Sequence, residues 1–302
     1  MSKTDTPFFS LGSQGTVGGV LTTQKKGQKT LVREKPIPAY RRTLPQVYQR
    51  WLYEDYAYLW RQQTEATRRE YAAGGSHWHL TGFQYWMKYH LTNLPDIAGM
   101  WHLDEKAGAI AYDSSKQGNN GTIVGASPTY GVIDGAQLFD GINDTIIVGT
   151  PPSLAPTKAI SIECFVIFHS DAKSHCIVHR GNVNTSGFVL FRRLNNNLRL
   201  NLFCATGVQT PETPVLKDTL YHVEVTYLSG TGGFFYLNGL PALVLADKGD
   251  IVYPNDRPFS VGFYNSPAGE WYAHATIDHL IVYNRPLDQA EVTRHSERRF
   301  PA

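Results

Sequence analysis

A short acidic break separates two strand-like runs near the middle of the chain. Residues 137–148 read QLFDGINDTIIV, and the break contains Asp140, Asn143 and Asp144. Short polar side chains in such a break can hold a turn by bonding to the nearby backbone. They can equally border a metal site or a sugar site, and the sequence leaves these alternatives open.

Calcium is the metal that these residue types would suit, because it takes about six to eight oxygen ligands from carboxylates, amides and carbonyls. The side chains that could supply them are Asp113, Asp140, Asp144 and Asp278, with the amides Asn120 and Asn143. Sequence spacing does not show that these side chains converge. A structural calcium ion is therefore the alternative to a simple turn. The sequence establishes no cofactor.

Aromatic residues in loop-like segments offer a second kind of chemistry, which is stacking against sugar rings. They are Tyr130, Tyr253, Tyr264, Trp271 and Tyr272. Sugar sites combine such rings with a few polar groups that fix hydroxyls. Aromatic residues are also enriched in protein–protein interfaces. The sequence therefore does not decide between a sugar site, a protein–protein contact and packing at the rim of the domain.

Catalytic patterns are missing from the sequence. Glycoside hydrolysis needs two carboxylates about 5–10 Å apart, yet Glu163 stands alone in its run and Glu212, Glu224 and Glu270 are isolated. No GxSxG elbow occurs. The His77-Trp-His79 pair with His90 has no evident further zinc ligand, and CxxC and HExxH are absent. We expect a protein that is not an enzyme.

The cysteine count and the terminus bear on the compartment. Cys164, Cys176 and Cys204 are odd in number and widely spaced, which is not a disulfide framework. The first residues lack the charged start and apolar core of a secretory signal. No run approaches the roughly 20 apolar residues of a membrane-spanning helix. We expect synthesis in a cytosol and no membrane partner.

The pattern of elements divides the chain into three parts: an extended basic arm over 1–42, a helical module over 43–98 and a β-domain over 99–302. Capping signals at Thr43, Thr64 and Thr81 predict three helices in the module. Short alternating runs predict strands at 160–168, 187–193, 198–204, 220–228, 233–238, 259–264 and 274–283. Such spacing is typical of a β-sandwich or barrel, and Asn238-Gly239 predicts a tight hairpin turn.

Charge is placed unevenly along these parts. Residues 1–98 contain 13 Lys and Arg against 7 Asp and Glu, a net charge of +6, whereas residues 99–302 carry −4. The basic residues of the arm are Lys25, Lys26, Lys29, Arg33, Lys35, Arg41 and Arg42. We expect them to anchor the chain on an acidic partner. Binding to nucleic acid is the weaker prediction, because Tyr40 is the single aromatic residue within the cluster.

The order of short motifs in the β-domain resembles the laminin G-like, concanavalin A-like lectin/glucanase superfamily. The motifs are GMWHLD at 99–104, YDSS at 112–115, GNNG at 118–121, GAQLFDGIND at 135–144, FYLNG at 235–239 and IDHLIVYNRPL at 277–287. The resemblance implies a mainly β protein with a C-terminal antiparallel jelly-roll sandwich. It also implies that Phe139, Ile146 and Val148 face the core while Asp140 and Asp144 hold the turn. Members of this superfamily often bind calcium.

Residues 15–72 resemble small structural proteins of tailed bacteriophages and prophages. The matching features are VREKP at 32–36, RTLPQ at 42–46, Arg50, Trp60 and Thr64-x-x-x-Arg68, with Tyr71 where that family usually has Trp. The resemblance implies a virion protein whose arm and helices contact capsid or tail subunits. The jelly roll would then decorate the particle as a homo-oligomer and bind host-surface glycans weakly. The alternative is a free-standing carbohydrate-binding lectin.

Overall fold

The computed structural model describes residues 15–17, 21–26, 29–34, 43–181, 185–253, 257–266 and 269–298. It divides the chain into two compact units, Met1–Thr43 and Leu44–Ala302. Among the described residues, no helix combines the length and the apolar character needed to cross a membrane.

The described part of the first unit is a small antiparallel sheet. Its strands β1 (Gly15–Val17), β2 (Leu21–Lys26) and β3 (Lys29–Glu34) pair in that order. The sequence predicts an extended arm here, and the structure adds that its extended segments pair with one another.

Four of the predicted anchoring residues lie on these strands: Lys25 and Lys26 on β2, and Lys29 and Arg33 on β3. The other three, Lys35, Arg41 and Arg42, lie outside the described residues.

Three helices open the second unit: α1 (Leu44–Gln62), α2 (Glu65–Ser76) and α3 (Gly82–Asn93). The Thr64 hydroxyl caps α2 by accepting the Thr67 N–H at 3.2 Å. Thr81 and Gln84 form a capping box at the start of α3. Both caps are the ones that the sequence predicts.

The apolar faces of the helices pack on the β-domain. Tyr56 of α1 and Trp86 and Met87 of α3 share one buried cluster with Ile281 and Tyr283. About 50 residues in three helices bury little apolar surface by themselves. The contact with the β-domain therefore supplies the core that the helices lack.

The strands of the β-domain and the final helix follow in chain order: β4 (Ile97–Trp101), β5 (Ile110–Ala111), β6 (Gly121–Val124), β7 (Ser127–Tyr130), β8 (Gly135–Asp140), β9 (Thr145–Gly149), β10 (Ala159–Phe168), β11 (His175–Arg180), β12 (Phe188–Arg192), β13 (Asn197–Cys204), β14 (Gly207–Gln209), β15 (Glu212–Pro214), β16 (Leu220–Leu228), β17 (Gly232–Leu237), β18 (Leu240–Leu245), β19 (Phe259–Val261), β20 (Phe263–Ser266), β21 (Gly269–Tyr272), β22 (His274–Tyr283) and α4 (Gln289–Ser296).

Two antiparallel sheets form the predicted jelly-roll sandwich. One has the order β18-β17-β16-β10-β22-β8-β7, with β4 also paired to β22. The other has the order β14-β13-β12-β11-β19-β9-β6-β5, with β15 paired to β13. Strands β20 and β21 form a separate hairpin. The mainly β fold class with a small helical module is confirmed.

The main core lies between the two sheets. Alternate residues of β10 and β13 meet there, among them Ile162, Cys164, Val166, Leu198 and Leu200, each at most 1% exposed. Because side chains alternate across a strand, the intervening residues of β10 face away from this core. That outer face is the one that the helices cover.

The FDGIND segment joins the two sheets and is not a hairpin, since β8 belongs to one sheet and β9 to the other. The Asp140 carboxylate accepts the Ile142 N–H at 2.7 Å, and the Asp144 carboxylate accepts the Asp140 N–H at 2.8 Å. These are the predicted turn-holding bonds. Phe139 and Ile146 are buried in the core and Val148 packs against it, as the resemblance implies.

The turn at Asn238-Gly239 is confirmed. It is the two-residue connection between β17 and β18, with φ values of 52° and 80°. Two successive positive φ angles are typical of a type I′ turn, which matches the twist of a hairpin and favours Asn-Gly.

Candidate functional site

The aromatic residues predicted to bind sugars divide into buried and accessible ones. Tyr264 is 2% exposed on β20, and Tyr253 packs against the main core. Burial raises the pKa of the Tyr253 hydroxyl. The prediction of an exposed stacking ring is therefore wrong for Tyr264, whereas the Tyr253 ring is half-buried. Trp271 and Tyr272 are half-buried on β21, and Tyr130 is 94% exposed on β7.

Trp271 borders a cleft of about 570 Å³ on the outer face of the second sheet. The β20–β21 hairpin folds over this face, where Tyr264 and Trp271 join Cys176, Val189 and Phe191 in a small apolar cluster. The Trp271 and Phe191 rings stack with their centroids 4.8 Å apart and an interplanar angle of 29°. This contact holds the indole at the edge of the cleft.

Polar side chains complete the cleft, and its full lining is Ser174, Phe191, Arg193, Leu194, Asn195, Arg199, Asn201 and Trp271. We call it the Trp271 cleft. The Arg193 guanidinium donates to Glu212 at 3.1 Å, and the Arg199 guanidinium lies 3.8 Å from the same carboxylate. The hydrogen bond from Arg193 lowers the pKa of Glu212. Two arginines thus share one carboxylate, which leaves an excess of positive charge.

The polar lining of the Trp271 cleft is not among the predicted site residues, although the sequence contains a signal for it. In NLRLNLF at 197–203, the apolar residues alternate with Arg199 and Asn201. This period places both polar side chains on the face opposite the core. The alternation that predicts the strand therefore also indicates which of its residues can contact a ligand.

A second cleft, of about 400 Å³, has the opposite character. It is lined by Asp104, Glu105 and Asp134 together with Lys106 and Tyr130. Burial raises the pKa of the Asp104 and Glu105 carboxyl groups. An acidic surface of this kind repels an anionic ligand, so the two clefts favour different chemistry.

A polar network lies buried between the first sheet and the helices. The Glu163 carboxylate of β10 accepts hydrogen bonds from His295 of α4 at 2.6 Å and from Tyr283 at 3.2 Å. On its other side the His295 ring contacts Asp55 of α1 at 3.2 Å, and Arg298 forms an ion pair with Asp55. Glu163 is therefore not the isolated residue that the sequence indicates.

Charge in this network is matched by opposite charge. Burial would raise the pKa of Glu163, but the charge and hydrogen bond of His295 and the charge of Arg298 lower it to about 2. Burial and Arg298 would lower the pKa of His295, yet Glu163 and Asp55 raise it to about 9. Glu224 has no such partner. Burial, followed by the charge of Glu163, raises the pKa of Glu224 well above its ordinary value.

Glu163 and Glu224 form a pair of neighbouring carboxyl groups that their spacing in the sequence does not indicate. They face each other across the β10–β16 pair, and their oxygens lie within 4.8 Å of one another. Glycosidases use two nearby carboxyl groups. Here the two residues are 1% and 0% exposed, so a sugar cannot reach them.

The four predicted calcium ligands accept hydrogen bonds from the backbone at separate places. The Asp113 carboxylate accepts the N–H groups of Met100, Ser115 and Asn119. The Asp278 carboxylate accepts the N–H groups of Val132 and Ile133. Asp140 and Asp144 hold the FDGIND turn. Within the described residues, the structure does not bring these four carboxylates into one metal-binding group.

The histidines considered as zinc ligands also stay apart from any metal-binding group found in the described chain. The Nδ1 atom of His90 lies 3.0 Å from the Trp86 carbonyl oxygen, in the buried helix interface. His77 and His79 are exposed near the end of α2.

Comparisons with known proteins agree with this architecture. A family model described as the concanavalin A-like lectin/glucanases superfamily matches residues 139–293, which is about half of the chain. No curated protein sequence matches the chain. The family match leaves the phage-like resemblance of residues 15–72 a prediction.

Several solved structures are similar to this chain at low sequence identity. The ligand binding domain of botulinum neurotoxin serotype D, in complex with N-acetylneuraminic acid, has a TM-score of 0.54 and 14% identity over 68% of this chain and 52% of that one. The binding domain of Paraclostridial Mosquitocidal Protein 1 has a TM-score of 0.54 and 14% identity over 67% and 52%. A sialidase from Trypanosoma rangeli has a TM-score of 0.49 and 16% identity over 66% and 32%.

This chain thus spans between a third and a half of the length of these structures. At such identity the two binding domains show the fold alone. The family match, which covers about half of the chain, shows that the chain belongs to the concanavalin A-like lectin/glucanase superfamily.

Proposed function

We propose that this chain is a non-catalytic virion protein of a bacteriophage, and that its jelly roll binds acidic glycans in the Trp271 cleft. The observation that carries the binding proposal is the combination of an aromatic ring, two amides and two arginines around one open cleft. Sugar sites need an apolar face for the ring and a few polar groups for the hydroxyls.

The arginines select the class of sugar. Arg193 and Arg199 share a single carboxylate, Glu212, which is itself partly exposed. A guanidinium group presents a fork of donors that matches a carboxylate in geometry and charge. A sugar acid could therefore replace or join Glu212 as the partner of one arginine. The toxin domain that holds N-acetylneuraminic acid informs the fold only, and the ligand class proposed here rests on the two arginines.

Trp271→Ala is expected to weaken binding of N-acetylneuraminic acid or its oligomers at least tenfold, on the order of 1.4 kcal/mol. The substitution removes the ring from the cleft edge while most of the β20–β21 hairpin stays paired. Isothermal titration of the full chain measures the effect. Tyr130→Ala is the matched control, since Tyr130 is an exposed aromatic residue of the acidic cleft. If Tyr130→Ala loses binding and Trp271→Ala retains it, the Trp271 cleft is not the site.

The virion part of the proposal rests on the resemblance of residues 15–72 and on the charge of the N-terminal part. A net charge of +6 over residues 1–98 favours association with acidic subunit surfaces. Copies arrayed on a particle would raise weak glycan binding through avidity. The runner-up is a free-standing lectin, for which the same cleft would suffice without an anchor.

Deletion of residues 1–42 is expected to abolish incorporation into particles while leaving the jelly roll folded. Residues 44–302 form a compact unit by themselves, so the loss would report on anchoring. Quantitative mass spectrometry of purified particles measures copy number, and circular dichroism checks the fold. Trp271→Ala in the full chain serves as the control with normal incorporation. A truncated chain found at the full-length copy number would show that residues 1–42 are not the anchor, whereas absence of the full-length chain from particles would favour the free lectin.

A further inference from the structure

Three buried side chains with metal-binding atoms meet on the outer face of the first sheet. Glu163 of β10 lies directly opposite Glu224 of β16. His222 precedes Glu224 by two residues on the same strand, so both point to the same face. One ligand atom from each residue lies within 4.8 Å of the other two. All three side chains are buried: Glu163 is 1% exposed, Glu224 0% and His222 3%.

Glu224 gives an independent sign that something is bound there. It is completely buried, and neither of its carboxylate oxygens has a hydrogen-bond partner in the described structure. A buried polar group without a partner costs about 1–3 kcal/mol, and more when it carries charge. Glu163, by contrast, is bonded to His295 and Tyr283. A cation between the two carboxylates would satisfy Glu224.

The donor set indicates the class of ion. One imidazole nitrogen with two carboxylate oxygens suits a first-row transition metal such as zinc, at distances of about 2.0–2.2 Å. Calcium prefers about six to eight oxygen ligands and does not favour imidazole. Atoms within 4.8 Å of one another reach a shared ion after small side-chain movements.

The surrounding charges leave room for a divalent ion. The carboxylates near the cluster are Glu163, Glu224 and, beyond His295, Asp55; the facing basic groups are His295 and Arg298. The buried Glu291 also lies near Glu224 and is paired with Arg285 at 2.7 Å. Arg298 lies closer to Asp55 than to Glu163, with its nearest nitrogen 3.8 Å from the Glu163 carboxylate. Glu224 makes no ion pair with either basic group in the described structure.

An entry route is present beside His222. This residue lines a surface cleft of about 680 Å³ together with Asn238, Thr293 and Ser296. We propose that Glu163, His222 and Glu224 bind one divalent transition-metal ion, which enters through this cleft and links β10 to β16.

Zinc titration of the full-length protein, freed of metal by chelation, tests this proposal. We expect one zinc ion per chain by isothermal titration and a higher unfolding temperature with zinc than with chelator, since an ion that binds only the folded state stabilises it. Glu224→Gln keeps the size of the side chain and is expected to weaken zinc binding by about 100-fold. The His77→Ala/His79→Ala double variant is the control and should bind zinc as the wild type does.

Three results would overturn the proposal. They are the absence of one-to-one zinc binding by the wild-type protein, unchanged binding by folded Glu224→Gln, and loss of binding in the His77→Ala/His79→Ala variant. The wild-type titration can overturn the proposal even if Glu224→Gln does not fold. Glycan binding in the Trp271 cleft is measured separately, so its failure would not affect this test.

Discussion

Asp55→Ala is expected to lower the free energy of unfolding by about 3–5 kcal/mol, the range for breaking a buried ion pair by removing one partner. Asp55 of α1 is 8% exposed and contacts His295 at 3.2 Å, while its second oxygen pairs with Arg298. The substitution leaves these two basic groups buried with one carboxylate between them. It also removes the polar connection between α1 and α4. Urea unfolding followed by circular dichroism measures the change.

The adjacent Glu54 provides the control for this prediction. It is exposed on α1, and Glu54→Ala should change stability by no more than about 0.5 kcal/mol. Equal stabilities for Asp55→Ala and Glu54→Ala would mean that the buried network does not hold the helices on the sandwich.

Asp278→Asn is expected to stabilise the protein by about 2–4 kcal/mol at pH 8 and by almost nothing at pH 4. Burial, and then the charges of Asp104 and Asp134, raise the pKa of Asp278 from 3.8 to about 7. One oxygen of Asp278 accepts two backbone N–H groups, and the other is buried without a partner. Asparagine keeps an acceptor for the backbone and carries no charge to desolvate.

The pH dependence follows from the sign of this shift. Because the folded-state pKa lies above the unfolded value, the folded chain binds more protons between pH 4 and pH 7. The contribution of Asp278 to stability is thus fully present below pH 4 and is lost as the pH rises through about 7. Unfolding curves from pH 4 to pH 8 should diverge for wild type and Asp278→Asn. Asp140→Asn, at an exposed turn, is the control, and parallel curves for wild type and Asp278→Asn would contradict the prediction.

Local patterns in the sequence were sufficient for the elements of this fold. The alternation in 160–168, the capping residues Thr64 and Thr81 and the Asn238-Gly239 turn each act through neighbours a few residues away. Their outcome depends little on the rest of the chain. The order of the β-domain motifs then indicated the sandwich that joins these elements.

Contacts between distant residues account for what the sequence did not reveal. Glu163 and His295 are 132 residues apart, and nothing in the spacing of charges indicates that α4 folds back onto β10. Tyr264 looked like an exposed aromatic residue, but the β20–β21 hairpin turns it onto the outer face of the second sheet. The same fold of the hairpin creates the Trp271 cleft, so the site depended on an arrangement that local patterns do not encode.

A glycan array probed with the full-length chain tests the central claim most directly. The array should compare acidic glycans with neutral ones of the same core structure, at low and at physiological salt. Binding confined to the acidic glycans and weakened by salt is the result predicted from Arg193 and Arg199 in the Trp271 cleft. Binding of neutral glycans alone, or of none, would contradict it.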